Sequence, residues 1–208
     1  MRHLRIWAIA FLLAVAASGT ALSGSAQQRE RGSFALLGRR VAAYLVDIVL
    51  LFAVLAPAGQ LILWLLGAET PRTGPAIGRT ILWNFSLPAW LYFILSDQSA
   101  TGATLGKRLL KIQVRDRSGE RLSFGRALAR TAVKLLPWEL VHVSAFAFST
   151  DLGQLSGPQL IGVAAANVLT IIYLGVAIKT RGQRSAHDYA AGTLIRPMLA
   201  HTQGSNGG

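Results

Sequence analysis

The sequence predicts an all-α membrane protein with four transmembrane helices and an N-terminal hydrophobic segment. Hydrophobic residues make up 52% of the 208-residue chain and charged residues only 14%, whereas soluble domains average about 25% charged residues. Four apolar stretches, at about residues 41–66, 80–95, 131–148 and 158–178, approach or exceed the ~20 residues that cross a bilayer. The basic residues are spread unevenly between these stretches, which is typical of multi-pass membrane proteins.

The N-terminal region, residues 1–26, forms a segment of its own. Arg2 and Arg5 precede an apolar core and a tail of small residues. This order is typical of a secretory signal peptide, but an uncleaved hydrophobic segment has the same features, and so does a start site placed upstream of the natural one. Residues 27–196 are predicted to form the transmembrane domain and 197–208 a disordered tail.

The first predicted helix carries an acid inside its apolar run. Asp47 lies about two turns into that run, where burying a charge costs on the order of 3 kcal/mol or more. Arg40 precedes Asp47 by seven residues and Arg39 by eight, so all three lie near one face of a helix. An intramembrane carboxylate with an arginine at the helix mouth predicts a functional site. The structural alternative is that Asp47 pairs with Arg40 or Lys134 and locks two helices together.

The segment between the second and third predicted helices is polar and basic. Leu110, Ile112 and Val114 alternate there with polar residues, which is the period of a β-strand. A turn at 117–120 precedes a second short candidate strand, 121–124. The sequence therefore predicts a small cytoplasmic β-hairpin or an interfacial segment between helices 2 and 3.

The third predicted helix is the least apolar of the four. It contains Lys134, Glu139 and His142. Glu139 and His142 are three residues apart and therefore neighbours on one helix face. They are candidate accessory groups for ion or proton movement, with helix packing or an interfacial position as the alternative.

The distribution of lysine and arginine predicts the orientation of the chain. Of 21 such residues, 17 fall in the three segments 27–40, 97–134 and 179–208, and only Arg72 and Arg79 fall in the loops that would lie opposite. This asymmetry predicts that the chain lies in a bacterial plasma (inner) membrane, with the central loop and the C-terminus on the cytoplasmic side. A cleaved signal peptide would leave 27–40 outside, so the orientation favours an uncleaved N-terminal segment.

Several function classes are disfavoured by the composition. The chain has no cysteine, so it has no disulfide, thiolate metal site or thiol nucleophile. His187–Asp188 is an isolated dipeptide without the further ligands of a metal-dependent hydrolase. Gly102 and Gly106-Lys107 do not complete a phosphate-binding loop, because Arg108 follows the lysine. We expect no enzymatic activity, no cofactor, no metal and no nucleic-acid partner, and we attribute the net charge of +12 to cytoplasmic loops.

Three short blocks occur in order around the apolar stretches. They are GRRVAAYLVD at 38–47, TLGKRLLKIQV at 104–114 and RSAHDYAAGT at 184–193. With these blocks the chain resembles the RDD family of membrane proteins, which is named for one arginine and two aspartates. The resemblance makes Arg40 (or Arg39) the arginine, Asp47 the first aspartate and Asp188 the second. It also implies a role in transport, with cation or proton exchange as one proposal.

Two functions of different classes fit these observations. The first is transport of small cations or protons through buried Asp47, with Arg39, Arg40 and Asp188 as its charge partners. Accessory groups would come from the remaining titratable residues, Lys107, Lys134, Glu139, His142 and His187. The second is a membrane scaffold or assembly factor whose basic loop binds anionic lipid headgroups or a membrane partner protein. Four spans are few for a carrier, so transport predicts a homo-oligomer.

Overall fold

The computed structural model describes the backbone of residues 24–148 and 156–198, and the side chains of 34–146 and 156–198. The chain divides into two compact units, Met1–Ser33 and Phe34–Gly208, and the side chains described below belong to the second. The signal-like segment up to residue 23 and the tail from 199 onward lie outside the described residues, so those two predictions stay predictions.

The described part of the chain is mostly helical, with one small sheet. In chain order its elements are α1 (Gly24–Leu65), α2 (Gly74–Ile81), a π-helical turn (Leu82–Ser86), α3 (Leu87–Gln98), α4 (Leu105–Leu109), β1 (Ile112–Asp116), α5 (Phe124–Phe148), α6 (Gly157–Lys179), α7 (Ala186–Ala191) and β2 (Thr193–Pro197).

Two of the described helices are long and apolar enough to cross a bilayer. They are the Phe34–Leu65 part of α1 and the whole of α6, Gly157–Lys179. Both leave large apolar side chains on their surfaces, such as Trp64 in α1 and Ile171 in α6. Apolar surface of this kind is stable against lipid tails but unfavourable in water.

The second predicted helix, 80–95, consists of two helices joined by the π-helical turn. Leu87 donates its backbone N–H to Leu82 O, five residues back. Pro88 follows at the start of α3, and proline cannot supply the next α-helical donor. The wider turn therefore falls where the regular hydrogen-bond ladder would fail.

Helices α1 and α5 begin before the predicted membrane-spanning stretches. Residues 27–40, predicted as a polar connector, continue α1 towards its start at Gly24. Helix α5 begins at Phe124, ahead of the membrane-spanning stretch predicted from about residue 131. Both extensions contain several Ala, Leu and Arg residues, which have high intrinsic helix propensity. Hydropathy alone does not detect a helical segment that is not apolar.

The predicted hairpin is wrong in its partner strand. Strand β1 forms as expected, but it pairs antiparallel with β2, with Val114 opposite Ile195. The segment 121–124 forms no strand, because α5 begins at Phe124. Strand β2 ends at Pro197.

The sheet packs into an apolar cluster that explains the choice of strand partner. Ile112 and Val114 of β1 and Ile195 of β2 are almost fully buried with Ala43 of α1 and Ile94 of α3. A second cluster joins α1, α3 and α5 through its buried residues, Leu51, Ala89, Phe93 and Leu135. The first cluster holds the sheet beside the residues of the candidate site.

Helices α5 and α6 approach each other closely at Gly162. A Cβ atom added to Gly162 would lie 1.7 Å from Ser144 Oγ and 2.4 Å from Ser144 Cβ. Small residues at such crossings are typical of membrane helix pairs.

Gly162→Ala should therefore destabilise the helix pair. The added Cβ would meet Oγ and Cβ of Ser144, and this short side chain cannot move away without a shift of the backbone. We expect a cost of about 1–3 kcal/mol, measured by thermal unfolding in detergent. Gly175→Ala, in the same helix with no atom within 4 Å of the added Cβ, is the control. Adding Ser144→Gly to Gly162→Ala should restore much of the loss, and equal stabilities of the two alanine variants would contradict this packing.

Candidate functional site

Five charged residues, four of them buried and Arg40 partly buried, form a continuous chain of ion pairs. Arg40 donates to Asp188, Asp188 also binds Arg130, Arg130 reaches Asp97, and Asp97 binds Lys107. Arg130 Nε lies 2.9 Å from Asp188 Oδ1, and the arginine is only 1% exposed. Each carboxylate therefore holds two cations, which is the arrangement that offsets the cost of burying so many charges.

Asp188 is positioned by the fold of the short helix α7. Its Oδ2 accepts from the backbone N of Ser185 at 2.8 Å, and Oδ1 accepts from Thr193 Oγ1 at 3.1 Å. The first contact belongs to a capping box at the start of α7. Gly192 then ends the helix in the left-handed conformation, with φ of 65°, and leads the chain into β2. The R-S-A-H-D-Y-A-A-G-T block thus folds locally so that the carboxylate of Asp188 is held in a fixed orientation.

Arg40 does not pair with Asp47, contrary to one structural alternative. Its guanidinium binds Asp188, donates to Gly182 O at 3.2 Å and contacts His187 Nε2 at 2.7 Å. Seven residues of helix separate Arg40 and Asp47 by about 10 Å along the axis, and helical side chains lean towards the N-terminus. Arg39 is exposed and forms no hydrogen bond or ion pair with the described residues.

Asp47 is buried in a different environment from the other two carboxylates. It is 1% exposed and accepts from Tyr92 Oη at 2.7 Å, Thr104 Oγ1 at 2.6 Å and the backbone N of Gly106 at 2.8 Å. All three donors are neutral. Within the described ranges Asp47 forms no ion pair, and its direct polar contacts are these three hydrogen bonds.

Lys134 is not the partner of Asp47 either. Its Nζ lies 3.3 Å from the centre of the Phe93 ring and 4.9 Å from that of Tyr44, which is a cation–π arrangement. Among the described side chains no acid pairs with Lys134. The prediction that Asp47 is locked by Arg40 or Lys134 is therefore wrong, because Arg40 is held by Asp188 and Lys134 by aromatic rings.

The T-L-G-K block places two of its residues, Thr104 and Lys107, in two different parts of the site. Thr104 caps helix α4 by accepting from the backbone N of Lys107, while its hydroxyl donates to Asp47. Lys107 turns its side chain to Asp97. Burial lowers the pKa of Lys107, although Asp97 opposes that shift.

Opposite effects act on Asp188. Burial alone would raise the pKa of Asp188, but Arg130 and Arg40 outweigh it and hold that pKa well below its usual value. Asp188 therefore stays ionised, and it serves as a fixed charge rather than a group that exchanges protons.

His187 is buried as a neutral imidazole. Its Nε2 lies 2.7 Å from Arg40 Nη2, and because the arginine can only donate, Nε2 must accept. Burial lowers the pKa of His187 far below its ordinary value, more than Asp188 raises it. The histidine thus adds a neutral contact to Arg40 and no charge.

This burial makes stability depend on pH. Below about pH 6.5 the unfolded chain binds a proton at His187, whereas the folded chain does not, so stability falls as pH falls. We expect wild type to lose stability between about pH 7.5 and 5.5 more steeply than His187→Gln, by up to about 1.4 kcal/mol per pH unit. Identical slopes in chemical unfolding would contradict the neutral, buried assignment.

Gly106 is required where α4 meets α1. A Cβ atom added there would lie 2.1 Å from Ala43 O and 2.9 Å from Asp47 Oδ1. Gly106→Ala must therefore push α4 from α1 and weaken the Asp47 hydrogen bonds, at a cost of about 1–3 kcal/mol.

The matched control for Gly106→Ala is Gly125→Ala, where the added atom meets nothing within 4 Å. An exposed helical Gly→Ala change is expected to stabilise by roughly 0.5–1 kcal/mol. Thermal unfolding of both variants should give shifts of opposite sign, and two shifts of the same sign and size would contradict the close approach.

Glu139 and His142 lie outside the charged network. Glu139 accepts from Ser86 Oγ at 3.1 Å and Trp90 Nε1 at 3.0 Å. His142 Nδ1 lies 2.8 Å from Trp138 O. These two predicted accessory residues border a separate cavity beside α2, whereas Lys107 belongs to the network and His187 contacts it through Arg40.

Four residues of the site were not singled out from the sequence: Asp97, Arg130, Tyr92 and Thr104. Asp97 lies in the last turn of α3 and Arg130 in the second turn of α5, close to polar segments where charge is common and carries little information. Arg130 shares four-residue spacing with Arg126 and Lys134, which indicates a shared face but not a partner. Among the described residues no group of three His, Asp or Glu side chains could hold a metal ion.

Comparison with known proteins confirms the resemblance. A model of the RDD family matches residues 34–192, which contain Arg40, Asp47 and Asp188. No curated protein and no solved structure gives a significant match. The family match and the two long apolar helices together indicate a membrane protein, and the chain belongs to the RDD family.

Proposed function

We propose that this protein moves protons or small cations across the plasma (inner) membrane through a site built on Asp47. The proposal includes four spans: α1 and α6, and two more formed by α2–α3 with its π-helical turn and by α5. The charged network then lies at the cytoplasmic ends of the helices, in agreement with the excess of Lys and Arg there.

A single contrast between carboxylates carries the proposal. Asp97 and Asp188 each bind two cations, whereas the donors to Asp47 are neutral. Among the described residues this carboxylate has no ion-pair partner, and a proton or a small cation can take that place. The network would hold the helix ends fixed while Asp47 binds and releases the proton or cation.

The residues around Asp47 offer a route for such an exchange. The hydroxyls of Tyr92 and Thr104 can rotate to donate or accept, and Tyr92 Oη also accepts from Leu105 N at 2.9 Å. Lys107 lies in α4 and Lys134 in α5. Their positive charges would repel a cation once it has left Asp47. This mechanism needs no cofactor and no enzymatic step, and the small number of spans favours a homo-oligomer.

A second candidate, a membrane scaffold, is favoured by the exposed basic surface beside the network. Exposed cations there include Arg108, Lys111, Arg117, Arg121 and Arg126. Such a surface suits anionic lipid headgroups or an acidic partner protein. In that case the paired network would only stabilise the platform.

Flux through the purified protein tests transport against scaffolding. The protein is reconstituted in liposomes that contain a pH-sensitive dye, and gradients of Na⁺, K⁺ or H⁺ are applied in turn. Transport predicts cation-dependent proton movement above that of empty liposomes. No movement under any gradient, together with stable capture of one membrane partner, would overturn transport and support the scaffold.

A further inference from the structure

A cavity of about 230 Å³ opens between α2, the π-helical turn and α5. Most of its wall is apolar and includes Ile81, Leu82, Val143 and Phe146. Its lining contains none of the charged network residues and not Asp47. The proposed transport function therefore leaves this space without a role.

One side of the cavity carries a carboxylate that can accept further hydrogen bonds. Glu139 accepts one hydrogen bond at each oxygen, from Ser86 Oγ and Trp90 Nε1. An ionised carboxylate can accept about four. Within the described ranges no cation pairs with Glu139, so the wall offers a negative charge and free lone pairs in largely apolar surroundings.

His142 adds a second acceptor next to Glu139. Its Nδ1 donates to Trp138 O at 2.8 Å, because a carbonyl oxygen can only accept. In the neutral ring the other nitrogen, Nε2, is then an acceptor, and it makes no hydrogen bond to the described residues. The described part of the wall thus presents two acceptors side by side.

These groups match one kind of ligand. A primary ammonium has three N–H donors and one positive charge, which Glu139, His142 Nε2 and Ser86 Oγ can share. A quaternary ammonium has the same charge but no N–H. The apolar walls suit a hydrocarbon body, and exposed Arg79, which also borders the cavity, suits an anionic group near the opening.

We propose that this cavity binds the primary ammonium group of a small amphipathic molecule, with Glu139 as its counter-ion and His142 as its second acceptor. The same chemistry is found in a phosphatidylethanolamine headgroup and in a free amine or apolar amino acid. The site is independent of Asp47, so it stands or falls separately from transport.

Selectivity between two matched probes tests the chemistry on wild-type protein. The full chain in detergent is titrated with hexylamine and, separately, with trimethylhexylammonium, by calorimetry and thermal unfolding. We expect hexylamine to bind and raise Tm, and the trimethyl compound to have little effect. Equal effects of the two probes, or no binding of either, would overturn the proposal.

Lipid composition distinguishes the two sources of the ammonium. Tm is measured in nanodiscs of phosphatidylcholine with and without phosphatidylethanolamine. A rise in Tm that requires Glu139 supports the lipid headgroup as the ligand. Hexylamine binding without such a rise supports a free amine.

A pair of glutamate variants locates the site. Glu139→Gln should weaken hexylamine binding about tenfold or more, because the charge-assisted bond is lost. Glu69→Gln makes the same change at an exposed loop position and should bind as wild type does. Equal Kd values for both variants would overturn the assignment of Glu139, and the wild-type probe comparison decides the question if Glu139→Gln does not fold.

Discussion

Asp188→Asn is expected to destabilise the protein by about 3–5 kcal/mol, or to prevent its accumulation in the membrane. The substitution keeps the size of the side chain but removes its charge. Arg40 and Arg130 would then be left without one of their counter-ions, and Arg130 is almost completely buried. Removing one member of a buried pair costs more than the pair contributes, because the remaining charge stays desolvated.

Asp116→Asn is the matched control for this prediction. Asp116 pairs with Arg126 at 2.9 Å, but the arginine side chain is 50% exposed. Such surface pairs contribute little, so the control should unfold close to wild type. Chemical unfolding in detergent, with yield from membranes as a second readout, checks both variants. Similar behaviour of the two would mean that the buried network does not hold the helix ends together.

The sequence predicts those helices and strands that have a long apolar run or a regular alternation of apolar and polar residues. The apolar stretches of α1 and α6 are long enough for hydropathy to predict both helices, including the end of α1 and both ends of α6, whereas the polar start of α1 escapes it. The alternation of Ile112 and Val114 likewise predicts β1 and its buried face. Its partner could not be predicted, because Ile195 lies far along the chain and a strand pattern carries no information about which segment completes the sheet.

The candidate site was only partly predictable for a similar reason. The family blocks identify Arg40, Asp47 and Asp188, but helical spacing suggested that Arg40 and Asp47 pair. In the structure α7 brings Asp188 to Arg40, and a capping box that is local to α7 aims the carboxylate. Which of two acids an arginine selects depends on the tertiary position of a six-residue helix, which no local pattern reports.

Glu139 shows the opposite case. Its position three residues before His142 was visible in the sequence, and the two do border one cavity. The sequence could not show that this cavity is separate from Asp47, since the separation depends on how α2 and the π-helical turn pack on α5.

Asp47→Asn is expected to reduce ion-coupled proton movement to the level of empty liposomes. Asparagine has nearly the same volume, and its amide oxygen can still accept from Tyr92 and Gly106. The protein should therefore insert and fold. What is lost is the negative charge that a proton or cation would neutralise, so the effect falls on flux rather than on stability.

The role of Asp47 is tested most directly by the proton flux per folded molecule in liposomes that carry wild type, Asp47→Asn or Asp116→Asn at equal density. Transport through Asp47 predicts movement with wild type and Asp116→Asn and only background movement with Asp47→Asn. Wild-type flux from a folded Asp47→Asn protein would contradict it, because the carboxylate held by neutral donors would then have no part in transport.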